Sequence, residues 1–345
     1  MPKRDASVAT RLTNLQVMRE GEFRAVTRSA QAVWSQGLQP APVRIRRPYV
    51  ARATRMDVED ERTPLPLQDR PPAARMLTPK GVALKLHLVL LFAAQCAAKA
   101  GKPWNSPFPV EPASSGRPEQ SWMGLVGTVA RYNGAGIQGA SAKTNKRRQI
   151  TEALNKLEGL NLVRPLKGKG RSRQGFVILS ELGQSDEAVD VAYTVPAANE
   201  AVFEIPVEFF TQGWVHVLTN SEIAALLMWF DRTKVAGQSV NNLNITHVAS
   251  KERQGIYGLG RETYETHQQL DAFELLDVIR PDRRHLDGKW QNYSADESSA
   301  LCHRVAFVDN GFDRPADEVV LEVLERRYAT GDWWRRPNAA RGLTP

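Results

Sequence analysis

A mainly α chain with small β-hairpins, an α+β fold built as two successive units, follows from three observations. The 345 residues are enough for about two domains. Helical apolar spacing runs twice into a short β-rich exit ending in Arg-Pro: Leu162-Val163-Arg164-Pro165 and Val278-Ile279-Arg280-Pro281. Charge is also unevenly placed. Residues 76–184 carry 16 basic and 5 acidic side chains, whereas residues 185–310 carry 10 and 19.

These features divide the chain into four parts. Residues 1–75 form a basic N-terminal extension, with 14 basic and 8 acidic side chains. Its first 36 residues read as helix in two pieces, broken near Gly21. Residues 37–79 hold eight prolines and the run Arg44-Ile45-Arg46-Arg47, and predict an extended linker, because proline fixes φ and removes donors.

Residues 76–184 form the basic unit. Thr78-Pro79 opens a helix to Ala100, with Leu84, Leu88, Leu91 and Phe92 at helical spacing. A proline-rich insert covers Lys102 to Pro118. A short helix from Ser121 to Tyr132 turns Trp122, Leu125, Val126 and Val129 inward. Gly134, Gly136 and Gly139 mark a loop. A third helix runs from about Lys143 to Glu158 on the stripe Ile150, Leu154 and Leu157. Leu160 to Pro165 and Gln174 to Leu179 then form a hairpin around Lys167-Gly168-Lys169-Gly170-Arg171-Ser172-Arg173.

Residues 185–310 repeat this order in an acidic unit. Val202 to Val207 reads as a strand, with helices over Ser221–Lys234, Ile245–Gln254 and Arg261–Asp277. A hairpin joins Val278 to Val308. A shift of 116 sets Leu154 on Leu270, Leu157 on Phe273 and Leu160 on Leu276. Residues 311–345 add a helix with Val319, Val320, Val323 and Leu324, then the tail Trp333-Trp334-Arg335-Arg336, expected to dock on the second unit.

Three helices closed by a hairpin with a basic tip is the order of a winged helix-turn-helix, so the chain reads as two such domains in tandem. A helix of this kind fits the major groove of DNA, where Arg grips guanine and Asn or Gln grips adenine with paired hydrogen bonds. With Ile150 and Leu154 as its back, the third helix presents Asn145, Arg148, Gln149 and Glu152. Lys143, Lys146 and Arg147 lie on its leading turn, where phosphates would sit. Lys167, Lys169, Arg171 and Arg173 would reach along the backbone or into a minor groove. In the second unit Arg261, Tyr264, Arg283 and Arg284 are DNA-contact candidates. Its acidity equally suits protein contact or dimerisation.

Other chemistry is poorly provided for. Gly134-Ala135-Gly136-Ile137-Gln138-Gly139 matches a dinucleotide fingerprint, but no strand precedes it and it reads as a loop. The six histidines lack metal-ligand spacing, and Cys302-His303 are adjacent. Cys96 and Cys302 give no disulfide framework. The expectation is a non-enzymatic protein without cofactor or metal, soluble in a reducing cytoplasm and associated with nucleoid or plasmid. Met1-Pro2-Lys3-Arg4 begins no apolar leader and no stretch suits a membrane.

Two winged units behind a proline-rich segment, over residues 76–310, resemble the tandem winged-helix plasmid replication initiators. The resemblance rests on element order. It implies sequence-specific binding of double-stranded DNA, contact with successive grooves of repeated origin sites, and a unit able to switch to homodimer formation. The replication machinery is then a further partner. A transcriptional regulator with the same binding physics, meeting transcription machinery, is the alternative. A DNA-associated scaffold that holds partners through the acidic unit and the Trp-rich tail is the third reading. The acidic second unit departs from a simple two-sided DNA clamp.

Overall fold

The computed structural model describes residues 3–58, 65–77, 81–112, 116–128, 141–166, 175–183, 191–240, 243–279 and 302–331, with side chains from residue 6 onward. The chain is mixed α/β, about 52% helical with small antiparallel sheets.

The N-terminal helix α1 (Lys3–Met18) passes through a π-turn (Arg19–Phe23) into α2 (Arg24–Gln36). The expected break at Gly21 is therefore a local widening of one rod, which turns Glu22 and Phe23 inward. Phe23 lies over Gly213, whose φ is +82°; a Cβ there would come within 2.5 Å of the ring. Arg11 grips Glu222 through both oxygens at 2.7 and 2.8 Å, and Arg19 pairs with Asp317 at 2.9 Å.

The expected extended linker is instead part of the folded body. Strand β1 (Val43–Arg46) pairs antiparallel with a strand 162 positions later, Val43 opposite Ile205. Val43, Ile45 and Tyr49 are buried, as are Pro72, Ala73 and Ala74 of the short helix α3 (Pro72–Arg75). Proline density marked kinks between packed pieces here: Val43, Ile45 and Tyr49 supply the apolar surface that a solvated linker lacks. Arg46 is enclosed by Glu181 at 2.6 Å, Glu200 and the Thr194 carbonyl, so its guanidinium stays protonated.

Helix α4 (Ala83–Ala97) is the hub. Every residue from Ala83 to Cys96 is buried, Lys85 in part and the rest almost fully, as befits a mostly apolar helix. It packs on α2 and β1 and on α6 (Ala142–Gly159), which follows β2 (Asn105–Ser106) and α5 (Trp122–Leu125) and precedes β3 (Val163–Pro165) and β4 (Phe176–Ile178). The sheet order is β2-β4-β3, all antiparallel. Helix α5 is shorter than predicted. Ser121 caps it, Val126 leaves it in extended conformation, and residues 129–132 lie outside the described residues.

After β5 (Val202–Ile205) come α7 (Glu208–Thr211), α8 (Trp214–Val217) and α9 (Asn220–Ala236). Thr219 and Glu222 close a reciprocal cap on α9. The predicted helix Ile245–Gln254 forms only in its second half, as α10 (Ser250–Gly255); Ile245 instead closes a hairpin of β6 (Gln238–Val240) with β7 (Leu243–Ile245). The predicted helix Arg261–Asp277 is two pieces, α11 (Arg261–Tyr264) and α12 (His267–Ala272). Thr266 Oγ1 donates to the Thr263 carbonyl and His267 Nδ1 contacts that of Tyr264, so side chains take helix acceptors at the break. Strands β8 (Leu276–Ile279) and β9 (Arg304–Phe307) pair antiparallel. Helix α13 (Ala316–Thr330) buries Val319, Val320, Val323 and Leu324 and packs on α1 and α8. The Trp333-Trp334 tail lies outside the described residues.

Local features recur in the two halves, and at the helix end they superpose at a shift of 113 rather than 116. Asn161 and Glu274 both take positive φ after the helix. Leu162 N donates to Leu157 O at 2.9 Å, and Leu275 N to Leu270 O at 3.0 Å, the same helix-ending bond. Ser106 opposes Phe176 on the strand that leads into α5. Likewise Thr246 and Val305 exchange backbone hydrogen bonds at 2.9 and 2.8 Å. In each unit the early strand therefore lies beside the last strand of the hairpin. The shift of 116 failed because apolar spacing alone slides by one helical turn unnoticed.

One core joins the units. Phe92 of α4 stacks on Phe210 of α7. Lys85 Nζ donates to the His216 carbonyl at 2.7 Å, and Gly127 N donates to His216 Nδ1 at 3.2 Å.

Candidate nucleic-acid interface

Helix α6 follows the sequence expectation closely. Ser141 Oγ accepts from Thr144 N at 3.2 Å, closing its first turn. Ile150, Ala153, Leu154 and Leu157 form its buried back. Lys143, Arg147, Arg148 and Glu152 are exposed, and Asn145 and Gln149 are half-buried. Arg148 closes an i,i+4 ion pair with Glu152 at 3.7 Å.

Lys146 departs from expectation. It is buried, and its ammonium is bound by Glu22 from the π-turn, which also accepts from Thr128 N. Lys146 stands four residues before Ile150, so the helical period puts it on the inward stripe rather than with the exposed Lys143 and Arg147. Its partner is 124 positions away, beyond any spacing rule.

The other leading-turn cations also meet an acid that sequence reasoning missed. Glu111 pairs with Lys143 at 3.5 Å and Arg147 at 2.9 Å. Lys143, Lys146, Arg147 and Arg148 therefore stand against three carboxylates: Glu111, Glu22 and Glu152.

Beyond α6, the hairpin strands β3 and β4 run directly from the helix, with Phe176 and Ile178 buried. The tip residues Lys167, Lys169, Arg171 and Arg173 lie outside the described residues, as do Arg283 and Arg284. The glycine-rich loop 134–139 also falls there.

In the second unit Arg261 and Glu265 form an exposed ion pair at 2.8 Å. At the shift of 113 they overlie Arg148 and Glu152. Tyr264 is placed differently from its proposed role. It packs against Trp229, His267 and His303 with Arg253 over its ring, and its hydroxyl meets His303 Nδ1 at 3.2 Å. A side chain held on four sides is poorly free to reach a base edge.

Among the described residues no group of three or more His, Cys, Asp or Glu could hold a metal ion, and no helix is long and apolar enough to cross a membrane. Compared with family models, curated proteins and solved structures, the chain matches none.

Proposed function

We propose that the chain is a sequence-specific binder of double-stranded DNA, built as two tandem winged-helix units, and that it acts as a replication initiator of the plasmid or phage type. The observation that carries this reading is α6: an 18-residue helix with an apolar back in the core and Arg147, Arg148 and Glu152 on the outer side. A hairpin with four cations at its tip follows it directly. Such a helix suits a major groove, and such a tip suits the backbone beside it. The matching strand order of the second unit supports a second reading surface, and Arg261 at the position of Arg148 is its natural contact. Initiation is preferred because tandem units fused through one core suit adjoining grooves of a repeated site.

Selection of bound sequences from random duplexes tests the reading. One enriched site is expected, and no enrichment would overturn it. Locating that site in its native DNA separates an initiator, beside tandem repeats and an AT-rich stretch, from a regulator beside a promoter.

A further inference from the structure

The proline-rich insert has no role in the reading above, yet it delivers Glu111 to the leading turn of α6. Its placement is built. Trp122 N donates to Pro109 O at 3.1 Å and Met123 N to Val110 O at 2.9 Å, so the two residues before Glu111 are tied to α5. Phe108 packs on Trp104 and Trp122 at ring distances of 5.9 and 5.4 Å, and Val110 packs on the core. From this anchor the Glu111 carboxylate spans Lys143 and Arg147, one helical turn apart.

That position has the chemistry of a phosphate site: one anion, two cations spaced i,i+4, and the first turns of a long helix. We propose that Glu111 is an internal surrogate for a DNA backbone phosphate, which holds Lys143 and Arg147 and must be displaced before a duplex can use them. The proposal rests on the DNA-binding reading. It deepens that reading by naming the competitor. The interaction is weak enough to exchange, because both cations are about two-thirds exposed and such pairs are screened by salt. A random-sequence duplex gains too little from α6 to eject the carboxylate. A cognate duplex adds base contacts that can.

The test compares wild type with Glu111→Gln by fluorescence anisotropy on a random-sequence duplex over a salt series. Glu111→Gln is expected to bind roughly three- to tenfold tighter at low salt. Its plot of log K against log salt should be steeper by about 0.9 to 1.8, for one or two further phosphates neutralised. In a Lys143→Gln/Arg147→Gln background the same substitution should give no gain. If wild type binds and Glu111→Gln changes neither affinity nor slope, the surrogate role is wrong while DNA binding stands. If the gain persists without the two cations, Glu111 acts only through the general field, and the proposal is overturned. If neither protein binds any duplex at low salt, the DNA-binding reading itself falls.

Discussion

Phe92 and Phe210 lie face to face, with centroids 4.6 Å apart and planes within 7°. One ring belongs to the hub helix of the first unit and the other leads into the second. Buried aromatic surface thus bridges the two halves of the chain. Phe92→Ala should cost about 3–5 kcal/mol. Hydrogen exchange should then show α6 and α12 losing protection together. Loss confined to one unit would mean that the contact does not couple them.

Arg148 and Arg261 should report which units read sequence. Arg148→Ala should relax preference at one base pair by about 1–3 kcal/mol of discrimination. Lys169→Ala should weaken all sequences alike and lower the salt slope by about 0.9. Arg261→Ala should relax preference at a second position, measured by binding to single-substitution variants of the selected site. Unchanged preference would leave the second unit to protein contact.

Glu22 anchors the N-terminal rod to α6. Glu22→Ala leaves the buried Lys146 ammonium unpaired and should cost about 1–3 kcal/mol in urea unfolding. The double variant Glu22→Ala/Lys146→Met should recover part of that loss, since no charge is then stranded. Equal destabilisation of the single and double variants would show that Glu22 acts chiefly through its bond to Thr128 N.

Acid sensitivity should come from two buried imidazoles. Burial holds His87 and His216 down to about 3, with Lys85 and Lys146 adding to the effect at His216. Unfolded histidine takes its proton near 6.5, so between these values the unfolded chain binds more protons. Stability should therefore fall as pH drops from 6.5, by about 1.4 kcal/mol per pH unit for each histidine. Lys85, held near 8 by burial, has the same sign at higher pH: its penalty is relieved as pH rises from 8 to 10. Urea midpoints that stay flat between pH 4 and 6 would contradict the histidine assignment.

The elements that were legible are those whose evidence is local. Helix α6, its stripe and the hairpin after it are written in spacings of three, four and two. The buried side chains of α4 follow from an apolar run. Long-range relationships left no such trace. Val43 and Ile205 carry no mark of their pairing, and Glu111 and Glu22 lie in segments read for their prolines and polarity. The burial of Lys146 is legible, because four residues before Ile150 is the same helical face, whatever the charge of the side chain. The break in the third helix of the second half escapes a reading by spacing, because Thr266 and His267 suit helical spacing while their side chains reach its carbonyls.

The union of β1 with β5 also has a temporal side. During synthesis the stretch around Val43 waits for 162 more residues before Ile205 emerges to cover it. At about 5–20 residues per second that is roughly 8–32 seconds. Throughout that interval, while the first unit is itself being made, the apolar side of β1 has no partner strand to cover it.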